Sequence, residues 1–225
     1  MAQSITSVAI LERLMDMAVG VENASSALLQ AISAPNVSAE YLDKTFRHDL
    51  LRFKELVAKG EESLLDFMAN GRLSVIPYKQ FYVDLALQLD CVMSRLEAGT
   101  YRLLMLFSID SSPAREIMDD ARELLRQLGV VASLLVDVLR ASEAPPKDPT
   151  MRRKLLDDKY AQGTDSEARA DSVYREALAR ILLKYRDNPS EMMIFKEVID
   201  SFEDAVDCAY RALTYGRIIG IGSLS

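Results

Sequence analysis

The sequence predicts an all-α protein, an elongated bundle of six long helices. Apolar residues recur at three- and four-residue steps along nearly the whole chain, and no segment alternates strictly as a half-buried strand does. The nine glycines and seven prolines are few and cluster between the periodic segments. At 225 residues, of which 49% are hydrophobic and 27% charged, the chain can bury a sizeable core.

Each predicted helix lies between helix-breaking residues. Ser38 and Ser112 are suited to cap the second and fourth helices, and the fifth could bend at Gly163 and Thr164. Residues 186–190, which include Pro189, break the pattern between the last two helices. In chain order, the predicted helices are residues 6–32, 38–70, 77–108, 113–141, 150–185 and 190–219.

The order of the helices predicts one three-helix unit used twice. The proline-rich residues 142–149 form a stiff linker between residues 1–141, an N-terminal repeat with degenerate acidic motifs, and residues 150–225, which complete the second repeat. Matching residues recur at an offset of 112 positions, as in the pair Pro77 and Pro189. We therefore expect two three-helix halves packed into one bundle.

A nine-residue pattern, Glu-x-x-x-Asp-x-x-Tyr-Arg, occurs twice near the C-terminus, 36 residues apart. In each copy the two acids are one helical turn apart, so they lie on the same helix face. The break at residues 186–190 lies midway between the copies, so an antiparallel hairpin would bring all four carboxylates to one level. The copies are Glu167, Asp171, Tyr174 and Arg175, then Glu203, Asp207, Tyr210 and Arg211.

Four partly buried carboxylates need a compensating positive charge. A metal ion with oxygen ligands is one source, and iron, manganese, magnesium, zinc and calcium are all compatible with this prediction. A salt-bridge network with Arg169, Arg175 and Arg211 is the competing interpretation. If the acids bind a metal ion, Tyr174 and Tyr210 would be hydrogen-bond donors to these ligands or packing neighbours of them. The predicted metal ligands are Glu167, Asp171, Glu203 and Asp207, with Asp200, Glu55 and Asp90 as secondary candidates.

The corresponding positions of the N-terminal half are depleted of acids. Lys59 and Ser94 stand where the C-terminal half has aspartates, which leaves Glu55 and Asp90. We expect the Lys59 ammonium to replace a metal charge there, which would make this half a structural ion-pair site. Glu97 would restore one acid to the same face.

Several other functions find no support in the sequence. The net charge of −7 argues against non-specific nucleic-acid binding. No phosphate-binding loop, Ser/His/Asp set or Cys-x-x-Cys motif is visible, and the single histidine, His48, is expected at the surface. Cys91 and Cys208 are expected to be free core residues in a reducing cytoplasm. No segment has the length and apolar character of a membrane span, so we expect any membrane association to be peripheral.

At these motifs the sequence resembles the PhoU-like family, in particular the branch associated with Pit-type phosphate transporters. The resemblance spans most of the chain from about Asp49 onward, and only its C-terminal motifs are complete. It implies two three-helix repeats that carry multinuclear metal clusters, and a role in phosphate uptake. Lys59 and Ser94 depart from the family pattern. The residues that carry the resemblance are Ser166–Asp171, Val198–Asp207, Val75–Pro77 and Leu89–Asp90.

The expected function is therefore that of a non-enzymatic, metal-binding regulator or accessory protein of phosphate transport. The expected location is the cytoplasm, at the inner face of the membrane, where the partner would be a Pit-type transporter or a signalling protein. A homo-oligomer is compatible with a long bundle that exposes apolar edges. A metal-dependent enzyme acting on phosphate or dioxygen is the main alternative, and a metal-free helical interaction module is the second.

Overall fold

The protein is a six-helix bundle over the part of the chain that the structure describes. The computed structural model describes residues 5–35, 37–70, 79–109, 117–143 and 148–222. Within these ranges all regular secondary structure is helical, so the all-α prediction is confirmed. None of the helices in these ranges combines the length and the hydropathy that crossing a bilayer requires.

The observed helices agree with the predicted ones to within a few residues where both can be compared. Some predicted features lie outside the described residues. They are the starts of the third and fourth predicted helices at Pro77 and Pro113, the cap at Ser112, and residues 144–147 of the linker. The helices are α1 (Ile5–Ser33), α2 (residues 39–70), α3 (Lys79–Ile109), α4 (Met118–Glu143), α5 (Pro149–Tyr185) and α6 (Pro189–Gly222). Within α2, a π-helical segment, Phe46–Leu50, separates Ala39–Thr45 from Leu51–Asn70.

Local side-chain hydrogen bonds set several helix ends. The Ser38 hydroxyl accepts the backbone N–H of Tyr41 at 3.2 Å and caps α2 as predicted. The Asp148 carboxylate accepts two N–H groups of the first turn of α5, and Pro149 follows it at a position where proline is tolerated. Only residues 186–188 separate α5 from α6, so these two helices form an antiparallel hairpin.

Helix α6 is at the centre of the bundle. It packs most extensively against α3 and also contacts α4 and α5. The other helix pairs in contact are α1 with α2, α3 and α4, α2 with α3, and α4 with α5. Buried side chains from all six helices form one hydrophobic cluster, in which Phe195 and Phe202 of α6 are fully buried.

Helix α5 continues without a break through Gly163 and Thr164. A side chain at position 163 would collide with Leu213 of α6. The glycine therefore allows close approach of the two helices rather than a bend.

The structure corrects one prediction about the core. Cys91 of α3 and Cys208 of α6 form a disulfide, with 6.1 Å between their Cα atoms. The expectation of two free cysteines is therefore wrong. The two cysteines therefore do not indicate a reducing compartment.

The contact between Gly99 of α3 and the Phe202 ring gives a stability prediction. A Cβ at position 99 would lie 2.6 Å from the ring, and Phe202 is fully buried, so it cannot move aside. Gly99→Ala should lower the free energy of unfolding by about 1–3 kcal/mol, as measured by urea denaturation.

Gly129→Ala is the matched control. Gly129 is also within a helix, but a Cβ there would meet only the Ser25 hydroxyl, at 3.8 Å. This substitution should be neutral or should stabilise by up to about 1 kcal/mol, through helix propensity. Equal stability of the two variants would contradict the close packing of α3 on α6.

Candidate cation site on the hairpin of α5 and α6

Two hydrogen bonds across the hairpin fix the register of α5 against α6. The Tyr174 hydroxyl donates to Asp200 at 3.1 Å, and the hydroxyls of Thr164 and Tyr210 lie 3.0 Å apart. Because the helices are antiparallel, residues between Thr164 and Tyr174 face residues between Asp200 and Tyr210. Glu167 and Asp171 lie in the first interval, and Glu203 and Asp207 lie in the second.

The neighbouring aspartates are close enough to affect the ionisation of the two glutamates. Burial raises the pKa of Glu203 to about 7, and repulsion from Asp207 and Asp171 contributes to the rise. Burial also raises the pKa of Glu167, again with contributions from Asp171 and Asp207. The hairpin therefore holds both glutamates in an environment that disfavours their charged form.

Each aspartate of this region has a basic partner. Asp207 lies 3.2 Å from Arg211, and Asp204 lies 3.2 Å from Arg95 of α3. Burial raises the pKa of Asp207, although Arg211 opposes the rise. The remaining pairs are Asp171 with Arg175 and Asp200 with Lys196.

These ion pairs are weak. The side chains of Arg175 and Arg211 are 73% and 60% exposed. Exposed pairs contribute about 0.2–1 kcal/mol each, because water screens them and ordering two long side chains costs entropy. Arg169, the third arginine of the predicted network, is exposed and forms no ion pair within the described residues.

The two glutamates are different. Within the described ranges, neither Glu167 nor Glu203 accepts a hydrogen bond or forms an ion pair, although both are partly buried. The nearby Arg175 opposes the rise in the pKa of Glu167, so the least compensated carboxylate of the site is that of Glu203.

The donor set suits a hard cation, but its present geometry is open. All four candidate ligands offer carboxylate oxygens. Across the described part of the chain, however, no three Asp, Glu, His or Cys side chains are grouped as a metal site requires. Arg175 and Arg211 hold Asp171 and Asp207, so these aspartates would have to leave their arginines to reach a shared ion.

The two motif tyrosines take different roles. Burial and the bond to Asp200 raise the pKa of Tyr174 to about 12, so this hydroxyl remains a donor at neutral pH. The Tyr210 hydroxyl donates to Tyr160 at 2.8 Å, and the two rings stack 5.7 Å apart. Both tyrosines therefore bridge α5 and α6 beside the acids.

Sequence reasoning missed the charged pair beyond the tyrosines. Arg217 of α6 donates two hydrogen bonds to Asp157 of α5, at 2.9 and 2.6 Å, and lies 4.9 Å from the centre of the Tyr160 ring. Asp157 and Arg217 fit the same antiparallel register as the acidic motifs. The antiparallel register that places the two acidic motifs opposite each other also predicts this pair.

The N-terminal half differs from the prediction. Glu55 and Lys59 pair with each other at 2.6 Å, but their side chains are 67% and 72% exposed. Lys59 therefore forms an ion pair with Glu55, as expected of a structural ion-pair site, but at the surface of α2. That its ammonium replaces a metal charge stays a prediction. Glu55 is likewise paired in solvent rather than grouped with Asp90.

Other residues face each other across α2 and α3. Lys54 forms an ion pair with Glu97, so Glu97 does lie on the inter-helix face. Burial raises the pKa of Glu61, and the nearby Asp90 adds to the rise. The residues of α2 that face α3 are therefore shifted by one position from the predicted set, and they include Lys54 instead of Glu55.

His48 lies in the π-helical segment and is exposed, as predicted. With both cysteines in a disulfide, the candidate ligands are carboxylates alone. No protein-family model and no curated protein sequence matches the chain.

The raised pKa of Glu203 predicts how stability depends on pH. Between its ordinary pKa of 4.5 and its folded value of about 7, the unfolded chain releases this proton first. The folded state therefore loses stability as pH rises through this window, and the loss is complete above it. Glu203→Gln should remove this loss, so the variant should be more stable than wild type at pH 8 and should differ less near pH 5.

Urea denaturation from pH 5 to pH 8, with a chelator present, measures this effect. Glu191→Gln is the control, because Glu191 lies in the first turn of α6, away from the cluster. It should keep the wild-type slope. A wild-type slope in Glu203→Gln as well would show that Glu203 is an ordinary surface acid.

Proposed function

We propose that the protein is a non-enzymatic, cation-binding regulator or accessory protein of phosphate transport. The observation that supports this most is the pair of unpartnered glutamates, Glu167 and Glu203, flanked by Asp171 and Asp207 at one level of the hairpin. The resemblance of these motifs to the PhoU-like family supplies the connection to phosphate uptake.

The helix contacts support the proposed two-repeat architecture. Helices α1, α2 and α3 all contact one another, and so do α4, α5 and α6. The two sets meet through α1 with α4 and through α3 with α6. Exchanging the first three helices with the last three leaves this pattern unchanged, as an internal repeat of 112 positions would require.

The proposed binding role follows from the charges. Glu167 and Glu203 would hold the ion first, because they have no partner to give up. Asp171 and Asp207 would complete the oxygen ligands by leaving Arg175 and Arg211. The bound ion would supply the positive charge that the acids lack and would tie α5 to α6 at this level.

The proposed partner is a Pit-type transporter or a membrane signalling protein, met from the cytoplasmic side. The tip of the hairpin offers an apolar surface for such a contact, since the side chains of Leu182, Leu183 and Met193 are 54%, 80% and 57% exposed. Copurification of tagged protein with detergent-solubilised membranes, compared with a Leu183→Lys variant, would test this assignment.

A metal-free interaction module is the second candidate. The basic partners of all four aspartates favour it, as does the absence of a closed metal site among the described residues. The two candidates differ in whether the protein binds a cation at all, which two experiments can decide.

The first experiment removes two candidate ligands. Asp171→Asn/Asp207→Asn should lose the metal that wild-type protein carries after purification without chelators, as measured by elemental analysis and by calorimetric titration with Mn²⁺. Glu12→Gln/Asp16→Asn removes the same charge from an exposed face of α1 and should retain the metal. Equal metal content in the two variants, or none in wild type, would refute the site.

The second experiment removes the competing arginines. Because each exposed ion pair is worth about 0.2–1 kcal/mol and two pairs are removed, Arg175→Gln/Arg211→Gln should tighten Mn²⁺ binding about two- to thirtyfold. Arg140→Gln/Arg186→Gln removes the same charge from surface pairs elsewhere and should tighten binding less. A loss of stability with no cation binding would favour the interaction module.

A further inference from the structure

We propose that Cys91 and Cys208 form a reversible thiol–disulfide switch that determines how firmly α6 is held against α3. The disulfide joins the two helices that pack most extensively, and it links residues 117 positions apart in the chain. Cys208 directly follows Asp207 in α6, so the switch lies next to the acidic motif.

The disulfide belongs to a row of contacts between α3 and α6. The row continues along both helices in one antiparallel register. The Phe202 ring packs against Gly99 within the row. The other contacts of the row are the disulfide between Cys91 and Cys208 and two ion pairs, Arg95 with Asp204 at 3.2 Å and Arg102 with Glu197 at 2.6 Å.

The other contacts in this row do not depend on the disulfide. Phe202 is fully buried, and the two ion pairs do not involve sulfur. The helices should therefore stay together when the cysteines are reduced. A folded protein then exists in both redox states, which is the requirement for a switch rather than a permanent structural cross-link.

The chemistry requires access to one sulfur atom. Cys91 is partly buried, whereas Cys208 is only 5% exposed. A thiolate of a dithiol reductant would attack the Cys91 sulfur and break the bond to Cys208, which leaves as a thiolate. The second thiol of the reductant would then displace Cys91. Two electrons and two protons pass from the dithiol to the cysteines, and the dithiol becomes a disulfide.

The proposed location favours reversibility, and this step alone rests on the proposed function. Disulfides in cytosolic proteins of mesophiles are usually transient and either catalytic or redox-sensing. In the oxidised state the cross-link holds the middle of α6, including Asp207, in one position on α3. In the reduced state only the packing and the ion pairs do so.

The test compares oxidised and reduced wild-type protein by hydrogen exchange. Protein equilibrated with glutathione disulfide should contain no alkylatable thiol, and protein treated with a dithiol should contain two, as counted by intact mass. Backbone amides of residues 88–96 and 202–212 should then exchange about tenfold faster or more, whereas those of α1 should change little. Restoring the disulfide should restore the slow exchange.

Cys91→Ala/Cys208→Ala is the control for effects of the reductant itself. It should exchange at the reduced wild-type rate under both conditions. Two free thiols after oxidation, or equal exchange in the two wild-type states, would overturn the proposal. Mn²⁺ titration of oxidised and reduced wild-type protein distinguishes failure of the switch from failure of the proposed cation site. If neither state binds Mn²⁺, the cation site is refuted, but the redox-dependent exchange still supports the switch.

Discussion

The burial of α6 against three other helices is the constraint on which the rest of the structure depends. One face of this helix carries the acidic row toward α5, and another carries Cys208 and Asp204 toward α3. A third approaches α4, where Gly216 lies against Leu135. Because these faces belong to one rigid helix, a shift that suits one partner disturbs the others. The positions of the carboxylates are therefore set by contacts on the opposite side of α6.

The acidic row is only partly neutralised. The aspartates have arginine or lysine partners in solvent, where such pairs contribute little. Glu167 and Glu203 form no ion pair among the described residues, and burial adds to the cost of their charge. A proton, a cation or a rearranged arginine can each lower that cost. Stability, pH and cation binding should therefore be linked through the same few side chains, with Glu203 as the most responsive member.

Local patterns carried most of the fold prediction. Helix periodicity and helix breakers gave the six helices, and the short turn at residues 186–188 fixed which residues of α5 face α6. In α2 the residues predicted to face α3 were wrong by one position. One residue corresponds to a rotation of about 100° around the helix axis, because the helix has 3.6 residues per turn. Glu55 and Lys59 therefore face solvent instead of α3. Contacts between α3 and α6 could not be predicted. Helices α4 and α5 lie between them in the chain, so no short turn determines which residues of α3 face which residues of α6. Arg95 and Cys91 were missed for that reason.

The antiparallel register of α3 and α6 also bears on how the chain reaches its native state. Sliding α6 by one turn, about 5.4 Å, would separate the two sulfurs and break both neighbouring ion pairs together. In the folded protein, the sulfur–sulfur bond can therefore form only when α6 lies in this register on α3. A disulfide in a folded molecule therefore reports the native register of α6, whereas reduced molecules reach the same register through the packing and the two ion pairs alone.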